Sequence, residues 1–186
     1  SIIRYLLNVT KRRRSSMNRF IIDHHPAAIA KSLCDQHIVK MPLEEAQMLS
    51  TAVRHHAGDE YADDNNIYKT AYMNHPCTIW ARECRENYVY AVVLLEAMSD
   101  EYTHRYGKVH KSSLLLPAFK AATEYVPANG EGLTAHPQCF SGFDECKTDE
   151  LWPISAYRAF YKVDKLKFAR YNKGREMPHW LEQSAA

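Results

Sequence analysis

Six glycines in 186 residues are too few for the many tight turns of an all-β chain, so a mainly helical architecture is expected. Long apolar runs are lacking too. Nothing approaches the roughly 18 consecutive apolar residues of a membrane-spanning helix, so a soluble protein with no membrane partner is expected. The five cysteines (Cys34, Cys77, Cys84, Cys139 and Cys146) include no C-x-x-C pair and sit among no secretory signal features. Reduced thiols in a cytoplasm are the simpler reading, that of a host cell if a phage encodes the chain. Neither G-x-x-x-x-G-K nor G-x-G-x-x-G occurs, which removes the common phosphate-cradling loops. G-x-S-x-G is missing as well, leaving serine hydrolase chemistry without support.

Charge is divided unevenly. Residues 1–16 carry Arg4, Lys11, Arg12, Arg13 and Arg14 with no acid, a charge of +5, whereas the chain as a whole is only +2. The remainder is therefore acidic. SIIRYLLNVTKRRRSS reads either as an arm for phosphates or a membrane surface, or as a basic N-terminal extension of 1–16 ahead of one helical domain of 17–183. Met17 then stands as an alternative start.

Along that domain, MNRFIID (17–23) suits a short strand or an anchoring segment, and Pro26 suits the first position of a short helix. From Asp35, apolar residues at Ile38, Met41, Leu49, Ala52 and Val53 recur at helical steps until Gly58, with Pro42 expected to kink or restart the helix. GDEYADDNNIYK reads as a surface loop. After Pro76 the periodicity of Trp80, Cys84, Tyr88, Ala91, Leu95, Met98 and Tyr102 describes one long central helix ending at Gly107. A further helix is expected over 112–124, and an irregular stretch over 126–153. Pro153 then opens a last helix reaching about residue 172. The expected fold is a compact, single-domain helical bundle with long irregular loops.

The candidate chemistry gathers on CDQHIVKMPLEEAQML. Glu44 and Glu45 are one helical step apart, so only one should reach a cleft shared with Asp35 or His37, where it could serve as general acid or base or stabilise a cation. Two solvated glutamates in a first turn are the plainer alternative. A metal set drawn from His37, Glu44, Glu45 and His75 would be a nuclease or hydrolase centre, although its spacing matches no known zinc pattern. Towards the C-terminus, Lys162, Lys165, Lys167, Arg170, Lys173 and Arg175 alternate with Phe160, Tyr161, Phe168 and Tyr171. That interleaving suits phosphate contacts plus base stacking, or an amphipathic helix with packed rings and solvated lysines. Arg105, Lys108, His110 and Lys111 form a second basic patch.

LCDQHIVKMPLEEAQML resembles the D-Q-H-bearing segment that leads to the catalytic glutamate in phage-type pyrimidine dimer DNA glycosylases, the small endonuclease V-like repair enzymes. Asn74 to Pro76 ahead of a long helix, and the succession CDQH, NHPCTIWARE, EYTHRYGKVH, resemble related phage proteins. The resemblance implies an all-helical DNA glycosylase and AP lyase that flips a nucleotide and needs no metal or cofactor. In it an N-terminal amine attacks C1′ to form an imine, a glutamate stabilises the intermediate, and β-elimination cuts the strand. Glu44 takes the place of the catalytic glutamate, His37 belongs to its segment, and Asn18 supplies the amine only if the chain starts near Met17. Where the family has phosphate-holding arginines beside the glutamate, this chain has Leu43 and Gln47. DNA contacts are accordingly expected from Lys40, Arg54, Asn74, His75, Arg82, Arg105, Lys108, Lys165, Lys167 and Arg170. A non-enzymatic nucleic-acid-binding accessory protein is the remaining alternative.

Overall fold

The computed structural model describes residues 17–182, and the basic extension 1–16 lies outside the described residues. Among these there are eight α-helices and no strand: α1 (Pro26–Ser32), α2 (Asp35–Ala57), α3 (Asp59–Asp64), α4 (Pro76–Glu83), α5 (Arg85–Tyr106), α6 (Leu116–Ala121), α7 (Ile154–Phe160) and α8 (His179–Glu182). No helix among them is long and apolar enough to cross a membrane. The chain is mainly α, and α2 and α5 are its two long members.

These two helices pack along each other, with α1 against α5 and α4 against α2. Ile38 and Met41 of α2 and Leu94 and Met98 of α5 join a core cluster with Phe20, Ile22, Ile29, Tyr157, Phe160 and Tyr161. About two to four turns further along α2, Leu49 and Val53 meet Tyr88, Leu95, Phe119 and Val126 in a second cluster. Each fully buried side chain of this size contributes about 1.5–3 kcal/mol, so the paired faces of α2 and α5 supply much of the driving force.

Residues 17–22 are all buried but form no strand. They are an anchor: Phe20, Ile21 and Ile22 enter the first cluster, and the chain threads between α2, α4 and α7. Pro42 lies within α2 without ending it. Proline supplies no amide, so the helix loses a bond at this point. Close by, His110 Nε2 donates to the Val39 carbonyl at 2.9 Å while its Nδ1 accepts the Ser112 N–H.

The single long helix expected after Pro76 is two. Cys84 is fully extended and separates α4 from α5. The buried Asn87 amide donates to the carbonyl of Trp80 and the hydroxyl of Thr134 and accepts the Thr134 N–H, while the Arg85 N–H goes to Pro127. Tertiary partners thus replace the lost helical bonds. The supposed loop after Gly58 contains α3, which starts where Gly58 (φ 90°) closes α2. The expected helix over 112–124 is a succession of 3₁₀ turn, α6 and 3₁₀ turn. Finally, α7 passes into a π turn at Tyr161–Lys165 rather than continuing as an α-helix.

Arg105, expected to face DNA, is turned inward from the last turn of α5. Its guanidinium donates to Glu101 Oε1 at 2.9 Å, Asp35 Oδ1 at 3.2 Å and the carbonyls of Ala30, Lys31 and Leu33. With so many acceptors in reach, burial satisfies its donors better than a surface would. Arg105 thereby clamps the end of α1 and the start of α2 to α5. Arg105→Ala leaves Glu101 its pair with Arg175 and Asp35 the Asn172 N–H, but it removes the cation paired with the buried Asp35 and the donors to three carbonyls, and should cost about 3 kcal/mol, seen as a lower urea midpoint with little change in slope. A loss below about 1 kcal/mol, the value of an exposed pair, would show that the clamp is incidental.

Candidate active site

The site is built around the anchored residues Asn18 and Arg19. Arg19 lies fully inside the protein and forms a two-pronged pair with Glu45 of α2, Nε to Oε1 and Nη2 to Oε2 both at 2.9 Å. Its Nη1 donates to the Cys77 carbonyl at 3.1 Å and to His136 Nε2 at 3.2 Å, and the guanidinium lies over the Trp80 ring. Burial opposes the Arg19 charge, and the Glu45 carboxylate outweighs it, holding the guanidinium above its ordinary value. Burial also depresses the His136 pKa strongly, aided by the Arg19 charge. The neutral ring donates from Nδ1 to the Pro137 carbonyl and accepts from Arg19.

With Arg19 held, Asn18 is placed as well. Its backbone N–H points at Glu44 Oε2, 3.4 Å away. The side-chain Nδ2 donates to the Cys139 carbonyl, and Oδ1 accepts from the Tyr157 hydroxyl and the Cys77 thiol. Lys40, one turn before Glu44 on α2, brings Nζ to 3.4 Å from Oε1. Burial pushes the Glu44 carboxyl up, against the opposing pull of Lys40 and the Asn18 N–H. Neither glutamate is a solvated residue of a first helical turn. Both are buried, and the single step between them turns one to Arg19 and the other to Asn18 and Lys40.

His37 is not brought to Glu44. Its Nδ1 meets the Tyr161 hydroxyl at 2.8 Å, its ring stacks on Phe20, and Phe168 closes another side. The same hydroxyl accepts the Cys34 N–H at the start of α2. The aromatic surroundings explain this placement: a buried imidazole stays neutral and needs only one good partner. The metal set of His37, Glu44, Glu45 and His75 is therefore not assembled, since Glu45 is taken by Arg19 and His37 by Tyr161. His75 instead begins α4, with Nδ1 accepting the Cys77 N–H, and Asn74 is exposed beside it.

The expected phosphate contacts separate in the same way. Arg54 is buried among Asp59, Asp63 and the carbonyls of Ile67 and Tyr68, where it fastens α3 and the following loop to α2. Arg82 is half-buried and donates to the Met73 carbonyl. Lys165 lies between Asp164 and the rings of Phe20, Phe160 and Phe168. Lys108, Lys167 and Arg170 are exposed. The aromatics alternating with the C-terminal lysines are no base-stacking platform, because Phe160 and Tyr161 are core residues and Tyr171 bonds the Ser32 carbonyl.

Several residues of the site carried no recognised signal. Arg19, the one charged residue of MNRFII, was a detectable hint, since a buried cation demands a partner. Cys77, Cys139 and Tyr157 come from distant segments and only the fold unites them. Cys77 and Cys139 have sulfurs 3.6 Å apart. The hydrogen bond from Cys77 lowers the Cys139 pKa, while the same bond and burial push the Cys77 thiol well up.

A family model for pyrimidine dimer DNA glycosylases matches residues 17–114, more than half of the 186. The chain belongs to that family. Membership brings DNA repair glycosylase chemistry, with DNA as the partner, to a fold whose matched part contains Asn18, Arg19, Lys40, Glu44, Glu45 and Cys77. Cys139, Tyr157 and Tyr161 lie beyond the matched residues. No curated protein and no solved structure matches the chain.

Burial, with the nearby Lys165 and Lys40 charges, pushes the His37 pKa down to about 3. An unfolded histidine titrates near ~6.5, so between these values the unfolded chain binds a proton that the folded chain refuses. The contribution is complete above pH ~6.5 and is lost as pH falls towards 3. His37→Gln, which still offers an acceptor to Tyr161, should flatten this acid loss by about 1.4 kcal/mol per pH unit. Urea unfolding at several pH values reads the slope. An unchanged slope would contradict a buried, neutral His37.

Proposed function

We propose that the chain is a DNA glycosylase with AP-lyase activity on damaged pyrimidines, working through an imine formed by the nitrogen of residue 18. The observation that carries this reading is the Asn18 nitrogen, 3.4 Å from a buried Glu44 carboxylate oxygen. In a polypeptide that begins at Asn18 this atom is an amine, whereas within a longer chain it is an amide and no nucleophile.

The amine attacks C1′ of the flipped nucleotide as the bond from C1′ to the base breaks, and the base leaves with a proton. Opening of the sugar ring yields the protonated imine. Loss of a C2′ proton then expels the 3′ phosphate by β-elimination, and water releases the sugar remnant and regenerates the amine. Glu44 suits two tasks here. Its carboxylate stabilises the cationic imine, and burial, by raising its pKa, makes it a stronger acceptor for the protons that the reaction moves. Lys108, Lys167 and Arg170 are the exposed cations for the phosphate backbone. Extruding the base requires a local opening of the duplex, easier at a damaged step.

Lys40 offers a second amine, with Nζ 3.4 Å from Glu44 Oε1 and the side chain 42% exposed. Borohydride trapping on abasic-site DNA distinguishes the two. Protein beginning at Asn18 should be trapped through its first residue and full-length protein should not, with Lys40→Ala leaving the trapping intact. Glu44→Gln should lower turnover about 100-fold or more while DNA affinity is retained. Trapping of the full-length chain that disappears only with Lys40→Ala would move the nucleophile to Lys40. DNA binding without trapping in either form would overturn the imine mechanism.

A further inference from the structure

His75, Cys77 and Cys139 place one ligand atom each within 4.8 Å of one another, at a point where the start of α4 meets the loop before α7. None of the three is needed for imine chemistry. The two sulfurs are 3.6 Å apart. Two thiolates bound at ~2.3 Å to one tetrahedral metal would be about 3.8 Å apart, whereas a disulfide would need ~2.05 Å. The observed spacing, that of a thiol–thiol hydrogen bond, is close to a metal edge and far too long for a disulfide. His75 is half-buried at the helix start, and its ligand atom lies within 4.8 Å of both sulfurs, so that a shift of its ring completes three bonds.

We propose that His75, Cys77 and Cys139 bind a zinc-class transition metal. Two thiolates and one imidazole form a donor set that selects Zn²⁺ over magnesium or calcium. On binding, both thiols release protons to solvent, two metal–sulfur bonds form, and the imidazole contributes a lone pair. The dication and two thiolates are neutral together, which suits a position beside Arg19, whose charge Glu45 already compensates. His75 and Cys139 also border a groove of about 320 Å³ with Gln138, Ser141, Asp144 and Lys147 on its walls. The fourth coordination position faces this groove and takes water or an oxygen ligand.

The site lies against Asn18, whose side chain bonds both the Cys139 carbonyl and the Cys77 thiol. Metal binding would exchange the Cys77 thiol bond to Asn18 for a direct link between α4 and the loop carrying Cys139, on whose carbonyl Asn18 Nδ2 keeps its hold. Metal bound only by the folded protein also stabilises it by linkage.

Titration of reduced, full-length protein with Co²⁺ under anaerobic conditions tests the site without reference to activity. One equivalent should produce a sulfur-to-cobalt charge-transfer band and the visible bands of tetrahedral cobalt, and Zn²⁺ should displace them. Cys139→Ser should remove most of the charge-transfer intensity. His75→Ala, outside the hydrophobic core, should weaken binding about tenfold or more with circular dichroism unchanged. The wild-type melting temperature should rise with Zn²⁺ and that of Cys139→Ser should not. Bands that are absent, or equally strong in Cys139→Ser, would overturn the proposal. So would a mass two hydrogens lower with Cys77 and Cys139 joined as a disulfide in protein kept in reductant.

Discussion

The pairing of Arg19 with Glu45 is the constraint on which the site depends. Two charges removed from water are costly, and they are tolerated here because each donor of the guanidinium has an acceptor: both carboxylate oxygens, the Cys77 carbonyl, His136 and the Met48 sulfur. That need for complete satisfaction gives the segment 17–22 a single register. Shifted by one residue, an extended segment would turn Arg19 away from Glu45 and direct Phe20 at a charged pocket. Ion pair and apolar anchor therefore reinforce each other. Phe20, Ile21 and Ile22 hold the segment in the core, and Arg19 fixes its position along the chain.

From this register follows the division of labour between two adjacent glutamates. Glu45 is committed to Arg19 and serves placement. Glu44, one step around α2, keeps its carboxylate beside the Asn18 nitrogen and Lys40. A buried carboxylate beside nitrogen donors is an arrangement that can stabilise a developing cation, and its energetic cost is borne by the surrounding fold. Tyr157, His136 and the Cys77–Cys139 pair close the other sides of Asn18 and Arg19. Part of that wall comes from the chain beyond the family match, so the C-terminal third contributes to the site that the first two thirds define.

Which features were legible in the sequence depended on their range. Helical periodicity reported the buried face of α2, and Gly58 and Gly107 marked helix ends because positive φ costs glycine little. A motif pointed to Glu44. The break at Cys84 was hidden because the apolar spacing continues through it, and what ends the helix is a set of partners on residues 127 and 134. Arg54 and Arg105 looked like surface cations since composition cannot tell a solvated guanidinium from one encircled by acceptors. The same limit applies to the C-terminal rings, where alternation with lysine fits stacking and packing equally well until the core is known. His75, Cys77 and Cys139 could not be grouped at all, being joined only in three dimensions.

The hold of the Glu44 carboxylate on the nitrogen of residue 18 can be read in the intact chain from the Asn18 amide resonance during a pH titration of ¹⁵N-labelled protein. This resonance should titrate with one carboxyl group, with a midpoint above the ordinary glutamate value, and the titration should disappear in Glu44→Gln. An Asn18 amide that exchanges as rapidly as an unprotected one and does not respond to Glu44 would contradict it.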